Sequence, residues 1–394
     1  MQNKISSTYF LGFTLIQKNT SEDKMLFKKE KHEVFAVILA GGSGTRFWPK
    51  SRQKKPKQLC KIIHPEKTML ELSLDRLDDY IPPKRRIIIT HKHQFEKTKK
   101  IVGDRAKYII AEPESKNTAA ALALASLEVR ALSKNCNSYI VSLHADHLID
   151  DHENFQQSIK EAIEVAAEDY LVLMGIKPSF AETGYGYIEK DQASNISGDL
   201  RANRVKKFHE KPNKKTAELY FSQSHFLWNS GIFVWKTNVI LNEFEKFENK
   251  LLNELTSVQK NLGGFFHTVL NEKLVSSYQN LANISIDHAL LEKSDKIAVI
   301  EALFTWHDIG SWSSVDGFNV KDEQGNSLTE NSLAIKTKNC TIRSENQFVA
   351  TVGTKDLIII VENDAILICD KNNTQDVKKV VENLKIKKDL NYLI

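Results

Sequence analysis

At 394 residues the chain exceeds one average domain, and its length sets an expectation of about two or three. Its 41% hydrophobic and 27% charged residues match a globular protein able to bury a large core. A net charge of +5, spread along the chain without a long Lys/Arg stripe, argues against a nucleic-acid partner.

The N-terminal stretch Tyr9–Ile16 is apolar but short, with one lysine before it, no small-residue cleavage site and a polar segment after it. Residues 1–32 are therefore expected to be an extension outside the fold. No apolar run approaches the roughly 20 residues of a bilayer span, so no membrane role is expected. Cys60, Cys136, Cys340 and Cys369 lie far apart without a CxxC pair. Reduced thiols and a cytoplasmic location are the expectation.

At Val34 the pattern changes. Val34–Ala40 is a continuous apolar run of strand length, followed at once by glycines. A strand covered on both faces has this composition. Similar runs recur at 86–90, 108–111, 139–143 and 170–175. Helical patterns alternate with them: Ala119–Leu132, with Asn117 as its expected N-cap, and Phe155–Ala167. Alternating strand and helix predicts a doubly wound, mostly parallel α/β sheet of Rossmann-like type, binding ligands beyond the carboxyl ends of its strands. From residue 319 short Ile/Val runs separated by Gly, Asn and Asp predict a small C-terminal β segment, and 375–388 predicts a terminal helix. The expected organisation is an extension over 1–32, a catalytic domain over 33–318, and a β segment with terminal helix over 319–394.

The sharpest chemical signal is Leu39-Ala-Gly-Gly-Ser-Gly-Thr-Arg-Phe-Trp-Pro49 directly after the first strand. Three glycines in four positions let backbone approach phosphate or base edges, and successive N–H groups favour an anion. It is neither a GxxxxGK[ST] loop nor a complete GxGxxG fingerprint. A bare strand-to-helix turn is the alternative, and Arg46 with the nearby Lys57 favours polyphosphate.

This segment, continued by Lys55-Pro-Lys-Gln-Leu59, resembles the nucleotidyltransferases that make nucleotide sugars. Its Phe-Trp-Pro and Pro-Lys-Gln version is similar to the bacterial mannose-1-phosphate guanylyltransferases. The resemblance continues through Glu112–Thr118, His144–His147, Glu182–Ile188, Phe208–Pro212, Trp228–Gly231, Ser285–Asp287 and Trp306–Trp312. It spans roughly residues 34–388.

The resemblance implies a nucleotidyltransferase fold whose C-terminal β segment resembles a short left-handed β-helix. It implies GTP and mannose 1-phosphate as substrates and Mg2+ as cofactor, held by Asp146 and Asp308. Arg46 and Lys57 would hold the triphosphate. Leu39, Gly41, Gly42, Gly44, Thr45, Asn117 and Thr118 would form the nucleotide side, and Gly184, Tyr185, Glu210, Lys211 and Asn229 the sugar-phosphate side. Another sugar 1-phosphate or another base is the alternative within the class; a silent regulatory subunit is the alternative outside it. The family usually has proline where His144 stands, arginine at Lys116 and proline at Ala120. The pair His144 and His147 could suggest zinc, but two ligands without a third in spacing make a weak metal signal. The chain ends soon after the β segment, so no isomerase activity is expected beside the transfer. A homodimer is compatible with the sequence.

Overall fold

The apolar runs at 34–40, 86–90, 108–111, 139–143 and 170–175 each become a largely buried strand, and further strands complete the sheets. In the computed structural model the strands up to the C-terminal segment are β1 (Glu33–Ala40), β2 (Arg86–His91), β3 (Tyr108–Glu112), β4 (Ser138–His144), β5 (His147–Ile149), β6 (Leu171–Ile176), β7 (Tyr187–Ile196), β8 (Ala202–His209), β9 (Phe226–Lys236), β10 (Ile297–Glu301) and β11 (Trp306–Asp308). The structure describes residues 32–394 except 43, 135–137, 197–200, 263 and 265–271. The expected extension therefore lies, but for His32, outside the described residues.

Nine strands form one sheet in the order β3-β2-β1-β4-β9-β6-β10-β8-β7. Parallel pairing joins β3, β2, β1 and β4, and again β6 and β10. β9 runs antiparallel between β4 and β6, and β8 antiparallel beside β10 and β7. The parallel strands are buried almost throughout, which accounts for apolar runs without alternation. The helices Asn117–Leu132 and Thr237–Phe247 bury their apolar faces in the main core with Phe35, Val37, Leu173 and Trp235.

The helix at Asn117 corrects one expectation. Lys116 occupies the N-cap position. Asn117 itself has φ 64 and its Oδ1 accepts from the Thr118 N–H at 2.9 Å. A short polar side chain that tolerates the left-handed region suits this place better than it suits a regular cap.

After the helix Trp312–Asp316 the chain forms β12 (Ser327–Leu328), β13 (Ser332–Ile335), β14 (Thr341–Ser344), β15 (Val349–Val352), β16 (Leu357–Val361) and β17 (Ile366–Asp370). Parallel rungs β12-β14-β16 and β13-β15 stack as in a β-helix, and β17 closes one edge antiparallel to β16. Strands this short need a partner surface. A second core supplies it: Ile358, Ile360, Leu367, Val377 and Val381 pack with Phe47, Trp48, Ile309 and Trp312. The helix Val377–Ile386 and the 3-10 segment Lys388–Leu393 end the chain. Among the described residues no helix is long and apolar enough to cross a membrane.

Candidate active site

The glycine loop starts where β1 ends, and its shape depends on residues that follow it. Gly44 has φ 59, and a Cβ placed there would lie 2.4 Å from the Lys57 Cβ and 2.7 Å from the Lys57 N. Only glycine supplies both the left-handed backbone and the room. Gln58 Nε2 donates to the carbonyls of Ala40 at 2.7 Å and Gly42 at 2.9 Å, and Ser51 Oγ donates to the Gly44 carbonyl at 2.7 Å. Lys57 and Gln58, on the short 3-10 helix Lys57–Leu59, thus brace the loop from below.

Two carboxylates meet at this brace. Asp146 follows β4, and Asp308 ends β11, which pairs antiparallel with β5 so that Asp308 lies opposite His147. That small ribbon carries Asp308 beside Asp146. The buried Lys57 ammonium sits between them, 3.1 Å from Asp146 Oδ2 and 4.0 Å from Asp308 Oδ1. Burial pushes the Asp146 carboxyl up, but Lys57 with His147 and His144 outweighs it and holds the group well below the usual range. Asp308 moves the other way: burial, aided by the Asp146 charge, raises it against Lys57 and Arg46. Two carboxylates this close are expected to diverge. Arg46, on the 3-10 helix Thr45–Phe47, is exposed and forms no ion pair among the described residues.

His144 and His147 do acquire a third potential ligand in space, Asp146, with ligand atoms within 4.8 Å of one another. Trp306 Nε1, however, donates to His147 Nδ1 at 3.2 Å. Burial pushes the His147 imidazole down to about 3, so the ring is neutral and its one proton sits on Nε2. While the indole bond stands, His147 has no lone pair for a metal. The histidines instead flank Asp146, with His147 Nε2 3.9 Å from Asp146 Oδ1, and His144 packs on Gly231, where a Cβ would lie 2.8 Å from its Cδ2.

A cavity of about 590 Å³ opens beside the loop. Leu39, Gly41, Gly42, Thr45, Asn117 and Thr118 line it, with His144 and Asp146 at its edge. The sequence-derived nucleotide residues are thus gathered there, except Gly44, which faces Lys57. Thr118 Oγ1 also accepts from the Ile286 N–H at 2.8 Å, tying the helix start to the Ser285–Asp287 segment.

The residues expected on the sugar-phosphate side form a separate cluster outside this cavity's lining. Lys211 (φ 44) pairs with Glu210 at 2.7 Å. Tyr185 packs edge-on against Trp228 and Trp306, both at 5.3 Å. The Gly184 N–H donates to Glu182 Oε1 at 2.7 Å. Asn229 has one side-chain orientation: its Oδ1 accepts from the Gly231 N–H at 3.1 Å, and its Nδ2 donates to Asp287 Oδ1 at 3.0 Å. One amide hydrogen then remains for a ligand. Trp306 connects the clusters, since its strand also carries Asp308.

Three polar residues in the quoted motifs carried no assigned role at the sequence level. Gln58 braces the loop. Glu112, the last residue of β3, lines the cavity; burial pushes it up to about 8 against the opposing Tyr278 hydroxyl, which donates to it at 3.3 Å. Asp287 fixes Asn229, and burial with the nearby Glu210 pushes it up to about 6. The signal for Glu112 was available: an acid closing an apolar strand, at the edge where α/β sheets bind ligands.

Residues 35–325 match the family model described as nucleotidyl transferase, and residues 330–384 match the MannoseP isomerase/GMP-like beta-helix domain. The chain belongs to the nucleotidyl transferase family and is a nucleotidyltransferase enzyme with a β-helix segment following its catalytic domain. A mannose-1-phosphate guanylyltransferase of Escherichia coli is 34% identical over 358 residues, covering 89% of this chain and 75% of its own. One from Klebsiella pneumoniae is 33% identical over 353 residues, covering 89% and 73%. Among solved structures, a Thermus thermophilus protein described as mannose-1-phosphate geranyltransferase is 27% identical with a TM-score of 0.79, covering 90% of this chain and 99% of that one.

Proposed function

We propose that the enzyme transfers GMP from GTP to mannose 1-phosphate, giving GDP-mannose and pyrophosphate. The observation that carries the chemistry is Lys57 held between Asp146 and Asp308, with Asp146 also lining the glycine-walled cavity. The substrate pair rests on the similarity to relatives named for that activity.

In the proposed reaction a phosphate oxygen of the sugar phosphate bonds to the α-phosphorus. The α–β bridging P–O bond breaks, and its electron pair leaves with pyrophosphate. Two anions must approach, so the protein's work is alignment and charge compensation. Lys57, buried and fixed by two carboxylates, is suited to the α-phosphate. Arg46, exposed and unpaired among the described residues, is suited to the departing pyrophosphate. Lys211 would hold the sugar phosphate, exchanging its contact with Glu210 for the stronger anion, and Asn229 would offer its remaining amide hydrogen to a sugar hydroxyl. Glu112 suits guanine, whose N1–H and N2–H2 edge offers two adjacent donors to one carboxylate.

Two carboxylates, Asp146 in the turn between β4 and β5 and Asp308 at the end of β11, form a hard oxygen donor set that fits Mg2+, which commonly takes one or two protein carboxylates and completes its shell with phosphate and water. Asp146 and Asp308 would hold it, and it would supply charge neutralisation at the phosphates.

Pyrophosphate release from four nucleoside triphosphates against several sugar 1-phosphates tests the reading. GTP with mannose 1-phosphate should give the highest kcat/KM by at least about tenfold. A different preferred pair would replace the substrate assignment.

A further inference from the structure

The C-terminal segment holds the signature segment at three successive basic or aromatic positions. Trp48 Nε1 donates to the main-chain carbonyl of Leu393 at 2.9 Å, and Arg52 Nη1 donates to the same oxygen at 2.7 Å. Arg52 Nη2 reaches Asp364, just before β17, at 2.7 Å, and the guanidinium lies 5.5 Å from the Trp48 ring centre. Lys50, between them, pairs with Glu345 and, at 3.3 Å, with Glu362. From the catalytic side, Trp312 Nε1 donates to the Trp48 carbonyl at 3.1 Å, so Trp48 is gripped at both ends.

These residues directly follow the turn that carries Arg46, and the catalytic lysine brace begins only five residues beyond Arg52. The same C-terminal segment reaches the cavity itself. Val381, Lys385 and Ile394 line it together with Trp48, Ser51 and Arg52, as do Glu112, Asn117 and Thr118. None of the sugar-side residues Gly184, Tyr185, Glu210, Lys211 or Asn229 belongs to this lining.

We infer that the last turn of the chain is a latch for the nucleoside triphosphate: it fixes Trp48 and Arg52, and through them the glycine loop, so that the C-terminal segment serves nucleotide binding and not sugar-phosphate binding. Trp48 and Arg52 are positioning residues in this role. Their donors converge on one acceptor, so displacing that acceptor frees both at once. A loop shifted by about an ångström loses roughly a hundredfold in rate or affinity where phosphates must be aligned. The inference rests on the nucleotide reading of the cavity.

Three variants test it: a chain ending at Lys387, Arg52→Ala, and the two combined. KM for GTP and for mannose 1-phosphate, and kcat, are measured for each. The latch predicts a rise of about tenfold or more in KM for GTP in each single variant, with KM for mannose 1-phosphate within about twofold of wild type. The combined variant should fall short of the product of the two single effects, because both lose the Arg52 bond to the Leu393 carbonyl. Unchanged KM for GTP, a parallel rise in both KM values, a loss of kcat alone, or additive effects would each overturn the inference. Should the shortened chain fail to fold, Trp48→Phe, which keeps the ring and removes the indole donor, replaces it with the same expectations for the two KM values. A wild-type chain that uses no nucleoside triphosphate would instead refute the function proposed above.

Discussion

Gly44 and Lys57 are packed so closely that a single methyl group on the glycine would lie 2.4 Å from the lysine's Cβ. The glycine of the loop and the lysine of the following segment are therefore one steric unit. The lysine's ammonium is in turn fixed by Asp146 and Asp308. Backbone permissiveness at one residue thereby sets the position of the Lys57 charge.

Gly44→Ala should consequently act on chemistry more than on folding. A non-glycine residue at φ 59 costs about 1–2 kcal/mol by itself, and the clash must also displace Lys57. We expect kcat/KM for GTP to fall by at least about tenfold while the circular dichroism spectrum is unchanged. Wild-type kinetics in this variant would show that the loop and lysine are not coupled.

The two aspartates give the second prediction. Asp146→Asn or Asp308→Asn should each reduce kcat by at least about a hundredfold, and chelation of divalent cations should abolish turnover until Mg2+ is restored. Near-normal turnover of either variant at saturating Mg2+ would remove that residue from the proposed metal site.

Glu112 makes a pH prediction with a definite sign. Its folded-state pKa is pushed up to about 8 from an ordinary 4.5. Between these values the unfolded chain has lost a proton that the folded chain keeps, so this residue lowers stability as pH rises and the effect levels off above about 8. Glu112→Gln should therefore gain in melting temperature relative to wild type between pH 5 and pH 8. Binding of guanine to the ionised carboxylate should tighten GTP affinity over the upper part of that window, and this trend should vanish in Glu112→Gln. Calorimetric titration at pH 6.5 and pH 8 decides; equal pH trends in both proteins would place the guanine contact elsewhere.

On the sugar side, Asp287→Ala removes the partner that orients Asn229, and Lys211→Ala removes the exposed cation. Both should raise KM for mannose 1-phosphate by about tenfold, with KM for GTP nearly unchanged. Lys57→Ala should show the reverse emphasis. Equal effects on both substrates would mean that the two clusters do not act as separate subsites.

Much of this arrangement was legible in the sequence because the requirements are local. An apolar run followed by glycines specifies a covered strand and a tight turn, and β1 to β4 appear where the runs place them. The helix Val377–Ile386 falls inside its predicted span. What was not legible is non-local. Nothing in Phe226–Lys236 says that β9 inserts antiparallel between β4 and β6. Asp308 joins Asp146 through the β5–β11 ribbon, a pairing the residues do not announce; only family resemblance put both in one site. The latch was beyond reach for another reason: its acceptor is a main-chain carbonyl, which every residue carries. Nor do the residues announce that Val381, Lys385 and Ile394 reach the cavity wall.

The central claim is direct attack of a mannose 1-phosphate oxygen on the α-phosphorus of GTP. Its most direct test is phosphorus NMR of a reaction containing mannose 1-phosphate labelled with 18O in its phosphate oxygens. The account predicts free pyrophosphate and GDP-mannose with 18O in the bridge between its two phosphorus atoms. An unlabelled bridge, or a product formed without pyrophosphate, would contradict it.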